Sequence, residues 1–347
     1  MSAPLTPATT SASLARVADL ADLAADVVRL VSAGEGAPST LRARALDVGH
    51  FARWCEAHGL DALPAAPSTV ALYMAACLRG GGAAGAAVRP STLRRRLASI
   101  AVEHRRAGHD SPCSHDAVRR AWKGIAREVG TAPVKRAPVM RDELRAMLNT
   151  VTVEQRGPRD PRTAEARALQ AARDRAILAL GYAGGFRRSE LAGLDVEHLT
   201  FRPGGILVFL PRSKTDQAGE GRTVPVDAWP GSDGCPVAAL RAWLHLAGIT
   251  RGPVFRAVDH AARVADSRIT DKVVNLTVKR AAERAGLDAA SFGGHSLRSG
   301  HVSQQLADGA ELASVAETTG HRSMAVLRGY DQRRERFSGV RARRLAV

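Results

Sequence analysis

The sequence predicts a mainly α-helical chain with a small β-sheet, built as an all-helical N-terminal domain followed by a mixed α/β domain. Three observations carry that expectation. Apolar residues recur at helical spacing through most of the chain. Only two stretches, 205–210 and 222–226, read as strands, with a polar loop between them. At 347 residues the chain is long enough for two separate cores.

Residues 1–35 are expected to form a partly disordered leader with one helix. Its first fifteen residues are rich in Ser, Thr, Ala and Pro, a composition that buries little. Val17, Leu20, Leu23, Val27 and Leu30 then recur with aspartates between them. The helical domain is expected over 36–130. Its first helix opens at Ser39, carries Leu41, Ala45, Val48, Ala52 and Cys55 along one side, and ends at Gly59. A second runs over 68–78, behind Pro67. Ser91 is placed to cap a third, with Leu93, Leu97, Ile100 and Ala101 inward and Arg94, Arg95 and Arg96 on the other side. A fourth covers 115–129. It turns Val118, Trp122, Ile125 and Val129 inward and Arg119, Arg120, Lys123 and Arg127 outward.

Residues 131–139 read as a linker that two prolines keep extended, with Lys135 and Arg136 in it. The second domain is expected over 140–330. Its helices cover 142–149, 164–182, 235–247, 270–285, 296–306, 311–318 and 324–330, with a break at Gly184-Gly185. An arginine-rich tail, 331–347, follows.

The net charge is +16 and the pI about 11.0, a balance that favours a polyanionic partner. The surplus is dense in 41–140, with sixteen Lys and Arg against seven Asp and Glu. A charge run alone is more often a solvated face. Two basic helices in one small domain tip the reading toward duplex phosphates. Aromatics at 4% disfavour a platform for stacking single strands. Cys55, Cys77, Cys113 and Cys235 lack CxxC spacing and read as reduced thiols of a cytoplasmic protein. The longest apolar run, 70–78, is too short for a bilayer, so no membrane partner is expected.

Six residues of the second domain suit chemistry at a phosphodiester: Arg187, Lys214, His295, Arg298, His321 and Tyr330. Breaking such a bond without a metal needs a nucleophile, cations on the non-bridging oxygens and an acid for the leaving oxygen. Arginine suits the second task because its planar fork pairs with phosphate and keeps its charge. Arg187 follows the glycine break, with Glu190 one turn on to orient it. His295 and Arg298, three apart, share a helical face. Tyr330 is the nucleophile candidate. A free phenol ionises near pH ~10, so it needs a base or cationic surroundings. Lys214, in the loop between the strands, is the acid candidate, and neighbouring Arg212 reads as a phosphate contact. His321 is a further ligand for the phosphate.

The order Gly-Phe-Arg-Arg-Ser-Glu-Leu (185–191), Lys214, His295-Ser-Leu-Arg298, Gly320-His321 and Tyr330 resembles the active site of the tyrosine recombinases, the phage-integrase family. The resemblance spans roughly 140–335 and is nearest to the Cre-like branch. The chain departs from that branch in having His321 in place of Trp. It departs from the commoner pattern in having Ser299-Gly300 after the second arginine.

The resemblance implies an N-terminal core-binding domain and an integrase-type catalytic domain. It implies a 3′-phosphotyrosyl intermediate with no metal or nucleotide cofactor. The implied partners are a specific recombination site in double-stranded DNA and three further copies in a homo-tetramer, with room for accessory proteins. DNA contacts are expected from Arg94, Arg95, Arg96, Arg119, Arg120, Lys123, Lys135, Arg136 and Arg212. Competing classes are a type IB-like topoisomerase, a non-catalytic DNA-binding regulator and a metal-dependent nuclease. The last would need clustered carboxylates, which the sequence does not suggest.

Overall fold

The structure, a computed structural model, describes residues 20, 22–27, 34, 36–80, 87–132, 136–152, 163–211, 221–321 and 323–330. The chain divides into two compact units, Met1–Val134 and Lys135–Val347. Positions 20 and 22–27 are helical; the tail 331–347, Lys135, Arg212 and Lys214 lie outside the described residues.

The first unit is all-helical. Three of its helices begin on a proline: α1 (Pro38–Ala57), α2 (Pro67–Leu78) and α3 (Pro90–Arg106). Proline suits the first helical position, where the missing N–H would have no partner anyway. Ser91 therefore sits one residue inside α3 and does not cap it, contrary to the sequence expectation. The fourth helix, α4 (Asp116–Val129), is capped by His115, whose Nδ1 accepts from the Ala117 N–H at 3.2 Å.

Phe51, Val70, Tyr73, Met74, Leu93, Ile100 and Val118 form the core of this unit. Tyr73 lies at its centre, with Phe51 edge-on at 4.9 Å between ring centroids. The Tyr73 hydroxyl receives the Arg96 Nη1–H at 3.3 Å, and Arg96 also donates to the Cys77 thiol at 3.4 Å. Arg96 is thus an inward residue, its side chain 11% exposed, and not a member of the basic face. The helical period explains the correction: 96 falls between the inward positions 93 and 100. Val129, expected inward, is 51% exposed because α4 ends beyond the core.

The second unit is organised around α6 (Ala164–Ala183), which is buried along most of its length. The Thr163 side chain caps it, accepting from the Ala166 N–H at 3.0 Å. Before it comes α5 (Arg141–Asn149); after it come the short α7 (Arg188–Ala192) and a three-stranded antiparallel sheet. The strands are β1 (Leu199–Arg202), β2 (Gly205–Leu210) and β3 (Arg222–Asp227), in that order. Ile206, Val208 and Leu210 of β2 and Val224 and Val226 of β3 are buried, the period-two pattern of a half-covered sheet.

Next come α8 (Pro236–Leu246), a second sheet of β4 (Arg256–Val258) and β5 (Val264–Arg268), and α9 (Asp271–Arg284). The sequence reading lacks β1, β4 and β5. They are three to five residues long and bury no side chain fully, so they carry no alternation to detect. The chain ends with α10 (Gly294–Ala307), α11 (Leu312–Thr319) and α12 (Met324–Arg328).

The expected linker is shorter than its sequence suggests. The Ala137 N–H donates to Ser291 O and the Val139 N–H to Ser296 O, and Val139 is fully buried. Residues 137–139 therefore belong to the second unit. Cys55, Cys77 and Cys235 are buried free thiols, while Cys113 is half-buried. No helix among the described residues is long and apolar enough to cross a membrane.

Candidate active site

Five of the six expected residues converge in the second unit, and two glycines make the convergence feasible. Gly185 has φ +57°, a conformation that L side chains resist, and a Cβ there would lie 2.7 Å from the His301 ring. This turn aims the Gly185 carbonyl at Arg298 and sets Arg187 immediately before α7. Gly320 ends α11 with φ +65° in the left-handed region, where glycine costs least.

Arg187 is held by Glu190. Its backbone N–H donates to Glu190 Oε2 at 2.9 Å, and its Nη1 donates to Oε1 at 2.5 Å. Glu190 is nearly enclosed, with a side chain 3% exposed. The orienting role that sequence spacing suggests thus has the matching geometry. Arg188 points elsewhere and pairs with Asp271 at 3.1 Å.

Arg298, on α10, is 1% exposed. It donates to Gly185 O at 2.8 Å and to Thr319 O at 2.6 Å. Burial, and then neighbouring Arg187, lower its pKa to about 10, so it remains a cation at neutral pH. Three arginines take three successive carbonyls at the end of α11. Arg222 donates to Thr318 O, Arg298 to Thr319 O, and Arg187 to Gly320 O. A helix C-terminus carries partial negative charge on those unpaired carbonyls, so it is a natural seat for cations.

His321 follows this turn. Its pKa falls to about 4, through burial first and the Arg298 charge second, so it is neutral at pH 7. The Thr319 hydroxyl donates to Val315 O and lies 2.6 Å from His321 Nδ1. With its proton committed, the hydroxyl accepts from Nδ1–H, which leaves Nε2 as the acceptor, 3.2 Å from Arg298 Nη2.

Tyr330 arrives from the C-terminal side. Leu327, fully buried with Val302, Leu306 and Val315, anchors α12. The Tyr330 N–H then closes a turn on Leu327 O at 2.9 Å, and Ser303 Oγ donates to Tyr330 O at 3.3 Å. The phenol oxygen comes to rest 3.1 Å from His295 Nε2, in reach of a proton transfer. Lys214 lies outside the described residues, so no geometry attaches to it.

Sequence reading missed Arg222. Its side chain is 17% exposed and lies 3.4 Å from Glu190 Oε2. A signal was present: Arg222 shares the parity of Val224 and Val226, the inward face of β3. The charge count is then three guanidiniums around one carboxylate. Among the described residues no three His, Cys, Asp or Glu side chains form a group that could hold a metal.

Most of the other basic residues singled out in the sequence are exposed. Arg94, Arg95, Arg119, Arg120 and Lys123 all face solvent. Arg95 pairs with Asp47 at 2.9 Å, and Arg120 with Asp116 at 2.7 Å. Arg136 is exposed and donates to Ala290 O.

Comparison with known proteins adds three kinds of finding. Residues 162–336 match the pattern described as the phage integrase family. The chain is 33% identical, over 85% of its length and 81% of the relative's, to an integrase/recombinase xerD homolog of Selenomonas ruminantium. It is 28% identical to a tyrosine recombinase XerC of Pseudomonas putida, over 82% of each chain. In fold it is similar to a lambda integrase dimer bound to a COC′ core site, with TM-score 0.54, 15% identity, and coverage of 90% of this chain and 77% of that one. It is also similar to a XerH site-specific recombinase bound to palindromic difH in a post-cleavage complex. There the TM-score is 0.52 at 17% identity, over 79% of this chain and 70% of that one.

Proposed function

The chain belongs to the phage integrase family of tyrosine recombinases, and from that premise we propose the reaction it performs: cutting and rejoining duplex DNA at a specific site through a 3′-phosphotyrosyl intermediate. One observation carries the reading. A partly buried cluster of three guanidiniums with a single carboxylate has a surplus of positive charge and sits beside a tyrosine–histidine pair. A phosphodiester supplies the missing negative charge where the phenol can reach it.

In this reading Tyr330 Oη attacks phosphorus as His295 Nε2 takes its proton. The bond from phosphorus to the 5′ oxygen breaks, and Lys214 protonates the leaving oxygen. Arg187 and Arg298 hold the non-bridging oxygens, where negative charge grows in the transition state. Glu190 keeps Arg187 in place. The entering phosphate raises the proton affinity of His321 Nε2, which takes up a proton from solvent and donates that N–H in a hydrogen bond to a phosphate oxygen. Rejoining reverses the step: a 5′-hydroxyl attacks the phosphotyrosine and the phenol leaves. One phosphoester replaces another, so bonds and protons balance with no metal or nucleotide.

The helical unit acts as the core-binding domain, over 36–130, and its exposed Arg94, Arg95, Arg119, Arg120 and Lys123 hold backbone phosphates. Lys135, Arg136 and Arg212 add contacts. Residues 140–330 form the catalytic domain, and the tail 331–347 docks on a neighbouring copy. Four copies join two DNA sites in the cytoplasm, with or without accessory proteins.

Trapping on nicked duplexes tests this reading. Wild type is expected to form a covalent adduct through Tyr330 at one sequence, in EDTA as in buffer, and Tyr330→Phe to bind without forming it. An adduct in the Phe variant would remove Tyr330 from its role. Adducts at many sequences would favour a topoisomerase, and strong inhibition by EDTA a metal enzyme. Tight salt-sensitive binding with no adduct would favour a regulator.

A further inference from the structure

We propose that Arg222 is a positioning residue of the cleavage reaction, holding Glu190 and the end of α11 so that Arg187 and His321 meet one phosphate. The inference rests on the recombinase reading above and adds to it a residue outside the six.

Arg222 begins β3 on the inward face, beside the buried Val224. One end of its guanidinium donates to Glu190 Oε2 at 3.4 Å and the other to Thr318 O. Glu190 in turn carries Arg187, and Thr318 stands three residues before His321. Arg222 therefore ties the sheet to both arms of the site. Its Nε is buried and has no hydrogen-bond partner among the described residues. An orphaned buried donor is unfavourable, and favourable contacts elsewhere must offset it.

The same atom lies 3.0 Å from where a Cβ on residue 320 would stand. Glycine at 320 thus serves two needs, the left-handed turn and room for Arg222. Both terminal nitrogens of this guanidinium are engaged by the protein, Nη1 by Thr318 O and Nη2 by Glu190 Oε2. Arg222 acts on the phosphate through the two groups it holds.

The test uses the full-length chain and a pool of nicked duplexes of randomised sequence, from which wild-type protein first captures its own substrate. Single-turnover adduct formation is then measured at saturating DNA. Arg222→Ala and Arg222→Gln are expected to slow it on the order of 10–100-fold, the effect of removing a group that orients a reacting one. DNA affinity should stay near that of wild type. Arg222→Lys should recover part of the rate, because an ammonium can still hold Glu190. In a Glu190→Gln background the loss on removing Arg222 should shrink, since residues acting through one another are not additive.

Wild-type rates in a folded Arg222→Gln protein would overturn the proposal. Losses that multiply fully with Glu190→Gln would do so as well, as would a loss seen only in DNA affinity. Failure of wild type itself to form any adduct would instead sink the recombinase reading, and this inference with it.

Discussion

In the helical unit Arg96 lies inside the core, 4.0 Å from the buried Asp47 and bonded to Tyr73 and Cys77. In the second unit Arg187, Arg222 and Arg298 crowd around Glu190 and the end of α11. Both regions take arginine out of water, which costs several kcal/mol per ion unless partners replace the solvent. The first sets Arg96, together with the half-exposed Arg95, against one carboxylate and neutral acceptors. The second sets three cations against one carboxylate and relies on backbone carbonyls for the rest. A cluster whose extra cation reaches solvent, as Arg95 does, is finished as it stands. An unbalanced one is stable enough to fold yet still gains from an anion.

Substitution of the two interior arginines tests that contrast most severely. Arg298→Ala is expected to slow adduct formation by about 10²–10³-fold, as the loss of one transition-state donor does. Arg96→Met should leave the rate at saturating DNA unchanged and alter stability only. Equal losses of rate in rapid-quench measurements would end the distinction.

Acid provides a second probe. Burial lowers the pKa of His301, beside the Gly185 turn, to about 4 from an ordinary 6.5. The folded chain then binds fewer protons than the unfolded chain between those values. The stability this supplies is complete above pH ~6.5 and is lost as pH falls toward 4, by about 3 kcal/mol. Half-buried His321 shifts in the same direction and adds to the loss. Protection factors along α10, which correct hydrogen exchange for the pH dependence of its intrinsic rate, should therefore fall on acidification, and less so in His301→Gln. A flat profile in wild type would show that His301 is not buried neutral.

The smallest effect concerns the exposed basic face. Replacing both Arg94 and Arg95 with Ala should reduce the slope of log affinity against log salt by about 0.9 for each phosphate that is no longer neutralised. Arg96→Ala should leave the slope alone, because its guanidinium is turned inward onto Tyr73 and Cys77. A lower slope in Arg96→Ala would return Arg96 to the DNA face.

Most helices were legible because a helix repeats every few residues, and a window of the sequence contains the whole signal. The HxxR pair on α10 and the Gly184-Gly185 break were legible for the same reason. Misreadings fell where a local signal was ambiguous. Ser91 beside Pro90 offered a cap, but proline took the first helical position. Arg96 shared a run with Arg94 and Arg95, yet its turn of the helix faces Tyr73. Val139 followed two prolines like a linker residue, but its N–H found Ser296 O.

Spacing within a few residues, or a fixed order of motifs, was enough for the helical character of both units, the strand pair on either side of Lys214 and the candidate catalytic set. Which arginines are buried, and what they hold, came only from packing. Arg222 meets Thr318 across 96 residues, Arg298 meets Gly185 across 113, and Arg187 meets Gly320 across 133. No periodicity spans such distances. Those pairings exist because packing α7, α10, α11 and β3 together leaves carbonyls and one carboxylate that the arginines in reach satisfy.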